Sequence, residues 1–342
     1  MNLRLVHLRF DCVATTPIGL GYHYAGNNLR NALANVMRRA TCSQARSNLP
    51  PTPEHAAVCP ACWLLSAELD PGLPTRGYTI VPPIPPRKRV EAGESFSFGL
   101  TLVGELLPFL PYFVLAVVEI GRRDGVGWNR YEGWGRFEVR SIVAAQPLAQ
   151  KMQLIRRPDE MVVAVPDIAL DWTAVQEAAD YYEHQIAPSG QLTIQFLSPV
   201  RLIEKENKQL FRIPDFGVFF QRLLFRIDQL GQQFYGMAKR NPEEVKMLHR
   251  LAEQVRLVDM DVSWHELWSN SSRKKKRTPF GGFTGTAVYW ANDWKPLLPW
   301  LILGQATQVG KLTTKGNGVY QLSIPGVTPF WQWMETAEKV RI

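Results

Sequence analysis

The chain has 342 residues, room for about two ordinary domains, and its 46% hydrophobic content excludes wholesale disorder. Lys and Arg outnumber Asp and Glu 39 to 31, a formal charge of +8 that favours a polyanionic partner, either nucleic acid or an anionic surface. The longest apolar stretch, residues 106–120, holds two prolines and falls short of the ~20 residues of a membrane span, and the first twelve residues have no signal-peptide core. A cytoplasmic address without a membrane partner is expected.

In chain order, LRLVHLRFDCVA (3–14) alternates as a strand does, with Leu3, Leu5, His7 and Arg9 on one side. The loop TTPIGLGYHYAG leads to a helix over 27–40, whose apolar stripe is 29, 33, 36 and 37 and whose cap is Asn27. A cysteine- and proline-rich insertion (42–75) follows, then two strands, RGYTIVPP and ESFSFGLTLVG. A proline-started helix from Leu110, a glycine-rich loop and a strand end the first half. Residues 146–189 are expected to join the two domains, 1–145 and 190–342. The second half repeats the order: a strand (190–203), a long helix (216–236), strands in 255–268 and 279–291, the helix LPWLILG, and a final glycine loop and strand. Two β-α-β-β-α-β units predict an α+β fold of tandem ferredoxin-like (RRM-like) domains.

The two glycine loops carry the repeat. GWNRYEGWGRFEV (127–139) and GKLTTKGNGVYQL (310–322) both fit G-x5-G-x-G-x-[FY]-x-[VL]. The second also resembles a nucleotide-binding P-loop, which its spacing excludes. Five residues rather than four separate Gly304 from Gly310, and Leu312 stands where the Mg²⁺-binding hydroxyl is needed.

Cys59-Pro-Ala-Cys62 is a C-x2-C pair, more consistent with a metal clip than with a disulfide in a cytoplasmic chain. A tetrahedral structural zinc needs two further ligands, available from Cys42 and either His55 or Cys12; reduced, buried thiols are the alternative.

The two glycine loops, the helix NNLRNALANVMRRATC and the downstream CPAC together resemble the RAMP superfamily. Within it, the chain is most similar to the CRISPR-associated endoribonucleases that cut precursor CRISPR RNA at its repeats. The resemblance implies a metal-independent cut, needing no catalytic cofactor, in which the RNA's own 2′-OH attacks the adjacent phosphate to leave a 2′,3′-cyclic end. In relatives the proton-carrying histidine sits near the loop entering the first helix, which here holds Tyr22-His23-Tyr24. His23 is therefore the candidate general acid or base, assisted by Tyr22 or Tyr24, with simple stacking or packing as the alternative. Lys311 is the first candidate for neutralising the phosphate and Arg30 the second.

RNA contacts are expected from Gly310, Lys315, Gly316 and Gly318, where glycine lets backbone approach a phosphate closely. The run Arg273-Lys274-Lys275-Lys276-Arg277 should project between two strands and grip RNA through phosphates. Trp128, Tyr131 and Trp134 are candidates for stacking on bases or for packing in the core. The remaining histidines lack motifs: His7 falls in a strand, His184 in the joining helix, His249 on a charged helix and His265 at a strand end. The expected partner is repeat or guide RNA, and other CRISPR effector subunits besides. The rival readings are a non-catalytic RAMP subunit that binds guide RNA, and a zinc-clipped scaffold without a nucleic-acid role.

Overall fold

The computed structural model describes residues 2–47, 51–65, 76–158, 160, 162–186, 188–204, 207–271 and 276–335. The first half runs β1 (Leu5–Ala14), α1 (Ala25–Thr41), β2 (Tyr78–Val81), β3 (Ser95–Val103), α2 (Leu110–Glu119), β4 (Phe137–Gln146) and β5 (Lys151–Arg156). Its antiparallel sheet has the order β2-β3-β1-β4-β5. The alternation in β1 sends Phe10 to the helical side, where it meets Leu29 and Leu33 of α1 and Phe113 and Val117 of α2.

After α3 (Trp172–Ile186), the second half runs β6 (Gln191–Val200), α4 (Phe216–Tyr235), α5 (Pro242–Glu253), β7 (Arg256–His265), β8 (Gly282–Trp290), α6 (Leu298–Thr307) and β9 (Tyr320–Ser323). Its sheet order is β7-β8-β6-β9, again antiparallel. In each half the first strand lies between the third and the fourth, with the second outside the third. That is the ferredoxin-like arrangement, and both predicted units are present.

The backbone of the two glycine loops shows the repeat bond for bond. Val126 N–H donates to Gly135 O at 2.9 Å, as Val309 N–H does to Gly318 O at 3.1 Å. Gly135 N–H reaches Pro17 O and Gly318 N–H reaches Pro199 O, while Trp128 N–H reaches Gly19 O and Lys311 N–H reaches Arg201 O. Each loop also holds a 3₁₀ turn, Arg130–Glu132 and Thr313–Lys315, entered and left through left-handed residues.

Three expectations change. α1 begins at Ala25, so Asn27 lies buried in its first turn and does not cap it; Tyr24 occupies the cap position without a side-chain bond. The segment 146–189 is more than a join. β5 extends the first sheet, and Trp172 at the start of α3 packs its ring 4.8 Å from Trp300 of α6. The apolar stretch around α2 belongs to a helical run of 21 residues, Gly104–Asp124, as long as a membrane span. Its apolar side is used internally, since Leu106, Leu110, Phe113, Val114, Val117 and Ile120 are buried.

The second half packs on the sheet face that α1 and α2 leave open. Leu230 and Arg226 of α4 and Ala306 of α6 line a seam with Leu5, Tyr78, Thr101 and Val103. Farther along this face, the C-terminal segment covers His7. Phe330, Trp331 and Trp333 surround the imidazole, and Nδ1 meets Thr101 Oγ1 at 2.9 Å. Burial holds His7 down to about 3, so it is neutral at pH 7. Between about pH 6.5 and 3 the unfolded chain binds a proton here that the folded chain refuses, so stability falls as pH falls. From pH 7 to pH 5 this one group is expected to cost about 2 kcal/mol. Urea unfolding of the parent and of His7→Gln at both pH values checks this: the variant should lose less by that amount, and equal losses would remove His7 as the cause.

Candidate functional site

The loop from β1 to α1 is shaped by backbone bonds before any side chain acts. Gly21 and Tyr22 both take positive φ, 73° and 55°, held by donation of their N–H groups to Lys88 O and Arg87 O. This turns the 3₁₀ turn Tyr22–Tyr24 toward the second half, where β7 ends at His265. The imidazoles of His23 and His265 lie 4.2 Å apart, centroid to centroid, and inclined at 48°. His265 Nε2 pairs with Thr284 Oγ1 of β8 at 2.7 Å, which fixes that ring. Burial, and then the neighbouring His265, hold His23 down to about 4; burial also lowers His265. Both rings are therefore neutral near pH 7, the state in which an imidazole accepts a proton.

The second glycine loop supplies the cation. Gly26 at the start of α1 is pressed against the loop backbone: a Cβ there would lie 2.3 Å from Lys315 O and 2.8 Å from Gly316 Cα. Lys315 Nζ donates to Ser269 Oγ at 3.0 Å and sits 5.7 Å from the centre of the Phe280 ring. That ring also takes the edge of Tyr24 at 5.3 Å, linking the lysine to the Tyr22–Tyr24 turn. Burial, then Arg30 and Arg76, lower Lys315 to about 8, so it is mostly charged at pH 7 yet gives up a proton more readily than an ordinary lysine. Arg30 thus belongs to this cluster, as does Arg76, which donates to Thr314 Oγ1 at 3.3 Å.

The other sequence candidates fall elsewhere. Lys311 is exposed beside Arg201 O, and its charged neighbours are Arg222 and Lys208 rather than members of the histidine cluster. The glycines of the loop serve the fold. Gly310, Gly316 and Gly318 all have φ near 80°, and a Cβ on each would meet Arg201 O, Gly26 Cα or Val309 O within 3 Å. The N–H groups of Gly316 and Gly318 already donate within the chain, to Thr313 O and Pro199 O, so the expected phosphate cradle has no free amides at those two positions. Tyr22 is half exposed on the outside of the turn.

The strands Trp268–Ser271 and Lys276–Pro279, between which most of the basic run lies, pair antiparallel. Arg273, Lys274 and Lys275 lie outside the described residues, as does the side chain of Lys276; Arg277 stacks over Trp268 at 5.1 Å. In the first glycine loop, Trp128 lies over Gly19 and Gly21 with 39% of its surface open, while Tyr131 is 90% exposed beside Arg130. Cys42, His55, Cys59 and Cys62 come together, and Cys12 lies buried in β1, outside that group.

Sequence reasoning passed over His265, Ser269, Thr284 and Phe280. No local pattern marks them; the turn of chain from β7 through the paired strands to β8 brings them to His23.

Two domains of ferredoxin-like fold therefore meet where the paired histidines lie. Residues 194–320 match the family model of the CRISPR-associated endoribonuclease Cas6, and residues 3–167 match one described as an N-terminal domain. The likeness to Cas6 thus rests on residues 194–320, the second of the two domains. Among solved structures, Thermus thermophilus Cas6 is 16% identical with a TM-score of 0.54, covering 94% of this chain and 99% of its own. A Cas6 product complex is 17% identical with a TM-score of 0.53, covering 93% and 98%. A partial Cas6-RT-Cas1–Cas2 complex is 13% identical with a TM-score of 0.57, covering 95% of this chain and 46% of that one. Identities this low speak for the fold alone. No curated protein matches the chain.

Proposed function

We propose that this chain cuts precursor CRISPR RNA within its repeats by attack of a 2′-OH on the adjacent phosphate, without a metal, releasing guide RNAs with 2′,3′-cyclic phosphate ends. The observation that carries the reading is the neutral imidazole pair, His23 and His265, with the half-buried Lys315 joined to the same turn through Phe280 and Tyr24. One imidazole takes the 2′-OH proton as the oxygen attacks phosphorus. The 5′-oxygen leaves with a proton from the second imidazole or from Lys315. Lys315, with Arg30 and Arg76 behind it, offsets the charge that builds on the phosphate oxygens. Arriving phosphate raises the affinity of both rings for protons, so that one can act as acid while the other acts as base. Exposed Trp128 and Tyr131, with Arg130 over the Tyr131 ring, and the paired strands Trp268–Ser271 and Lys276–Pro279 extend the surface along which the flanking RNA would lie.

The test uses purified protein and labelled repeat RNA in EDTA. One cut leaving a cyclic phosphate is expected, abolished by 2′-deoxy substitution at the cleaved nucleotide. Binding without a cut would instead favour a guide-holding RAMP subunit.

A further inference from the structure

We infer that Cys42, His55, Cys59 and Cys62 hold a structural zinc ion, which pins the insertion after α1 across the junction of the two halves. Cys42 Sγ lies 3.3 Å from His55 Nε2 and 3.6 Å from Cys62 Sγ, and all four donor atoms fall within 4.8 Å of one another. Ligands on a tetrahedral zinc at its usual bond lengths stand roughly 3.4–3.8 Å apart, so the group needs only small shifts to close on an ion. A Cys42–Cys62 disulfide would need the sulfurs at about 2 Å, far closer than they are. Three thiolates and one imidazole complete the tetrahedron and leave no open position, so the ion takes no part in RNA cleavage. The set would carry one net negative charge, and Arg38 lines the same hollow beside Cys42 and Cys62.

The local chain explains why a clip is needed. Cys42 closes the C-terminus of α1, donating its N–H to Arg38 O, and the other donors come from the helices Pro53–Val58 and Pro60–Leu65 and the residue between them. Helices of six residues are far below the length that holds in water unaided. Yet Trp63, next to Cys62, is set against both halves: its ring stacks on Phe109 at 5.2 Å and meets Phe234 of α4 edge-on at 6.4 Å. A zinc at its neighbour fixes that tryptophan, and the α1 end with it.

Metal analysis of protein purified under reductant from zinc-supplemented medium tests the inference. About one zinc per chain is expected in the parent and in Cys12→Ala, and background zinc in Cys59→Ser/Cys62→Ser. Cobalt exchanged into the parent should give the intense visible absorption of a tetrahedral thiolate site, which reads the ligand set without relying on the variants folding. His55→Ala should shift that spectrum and weaken retention of the metal. A parent chain without zinc and without a thiolate–cobalt spectrum overturns the inference, as does zinc retained by the double variant. RNA cleavage by the parent in EDTA is read separately, so failure here leaves the proposed function standing.

Discussion

His23→Ala is expected to slow single-turnover cleavage of repeat RNA by ~10²–10⁴-fold, the range of one general acid or base, with little change in RNA affinity. His265→Ala should fall in the same range because the two rings face each other at 4.2 Å. The double variant should be little worse than the worse single, since groups that act as a unit are not additive. A His23→Ala protein that cuts at the parent rate would sink the assignment, whatever the protein's substrate.

The pH profile of kcat/KM reports the free enzyme and separates this site from an ordinary histidine site. His23 as base must be neutral, so activity should hold as pH falls through 6.5 and drop only toward about 4. Lys315 must be charged, so activity should fall as pH rises through about 8. Lys315→Arg should move that alkaline fall out of range, because guanidinium keeps its proton.

The second large effect is expected from a residue with no chemistry at all. Gly26→Ala places a methyl 2.3 Å from Lys315 O and 2.8 Å from Gly316 Cα, both backbone atoms that cannot rotate aside. Gly316 is itself held at φ 82°, so the loop must shift as a whole, taking Lys315 with it. The cost should be about 1–3 kcal/mol of stability, together with a fall in cleavage larger than that loss of folded protein explains. Gly217→Ala is the control: its nearest neighbours stand at 3.5 Å and beyond, so denaturation and cleavage should be close to the parent. Equal behaviour of the two variants would mean that the seam between α1 and the glycine loop is soft and does not position the lysine.

Much of this protein was legible without coordinates, and each part for a local reason. Alternation in 3–14, proline-started apolar helices and two matching glycine patterns are properties of neighbouring residues, and they were enough for two β-α-β-β-α-β units. The Tyr22–His23–Tyr24 turn was legible because it precedes a helix with a readable stripe. The cysteine group was half legible: C-x2-C is a spacing signal, whereas the choice of His55 over Cys12 depends on which one β1 carries away into the core.

The differences between sequence and structure share a cause. A glycine is read from sequence as freedom of the backbone, but whether that freedom serves a ligand or a close internal contact depends on what lies opposite. Opposite Gly310, Gly316 and Gly318 lie Arg201, Gly26 and Val309 of the same chain. Lys311 stands in the glycine loop, yet the 3₁₀ turn 313–315 directs Lys315, four residues later, to Ser269 and Phe280. The sequence by itself determined the repeat, the strand and helix order and the histidine at the mouth of α1, because periodicity and glycine spacing act over a few residues. The tertiary structure alone decided that His265 faces His23, that Lys315 lies near Arg30 and Arg76 and that Gly26 must lack a side chain. Those pairings join residues more than two hundred positions apart, and only the packing of one half against the other brings them within reach.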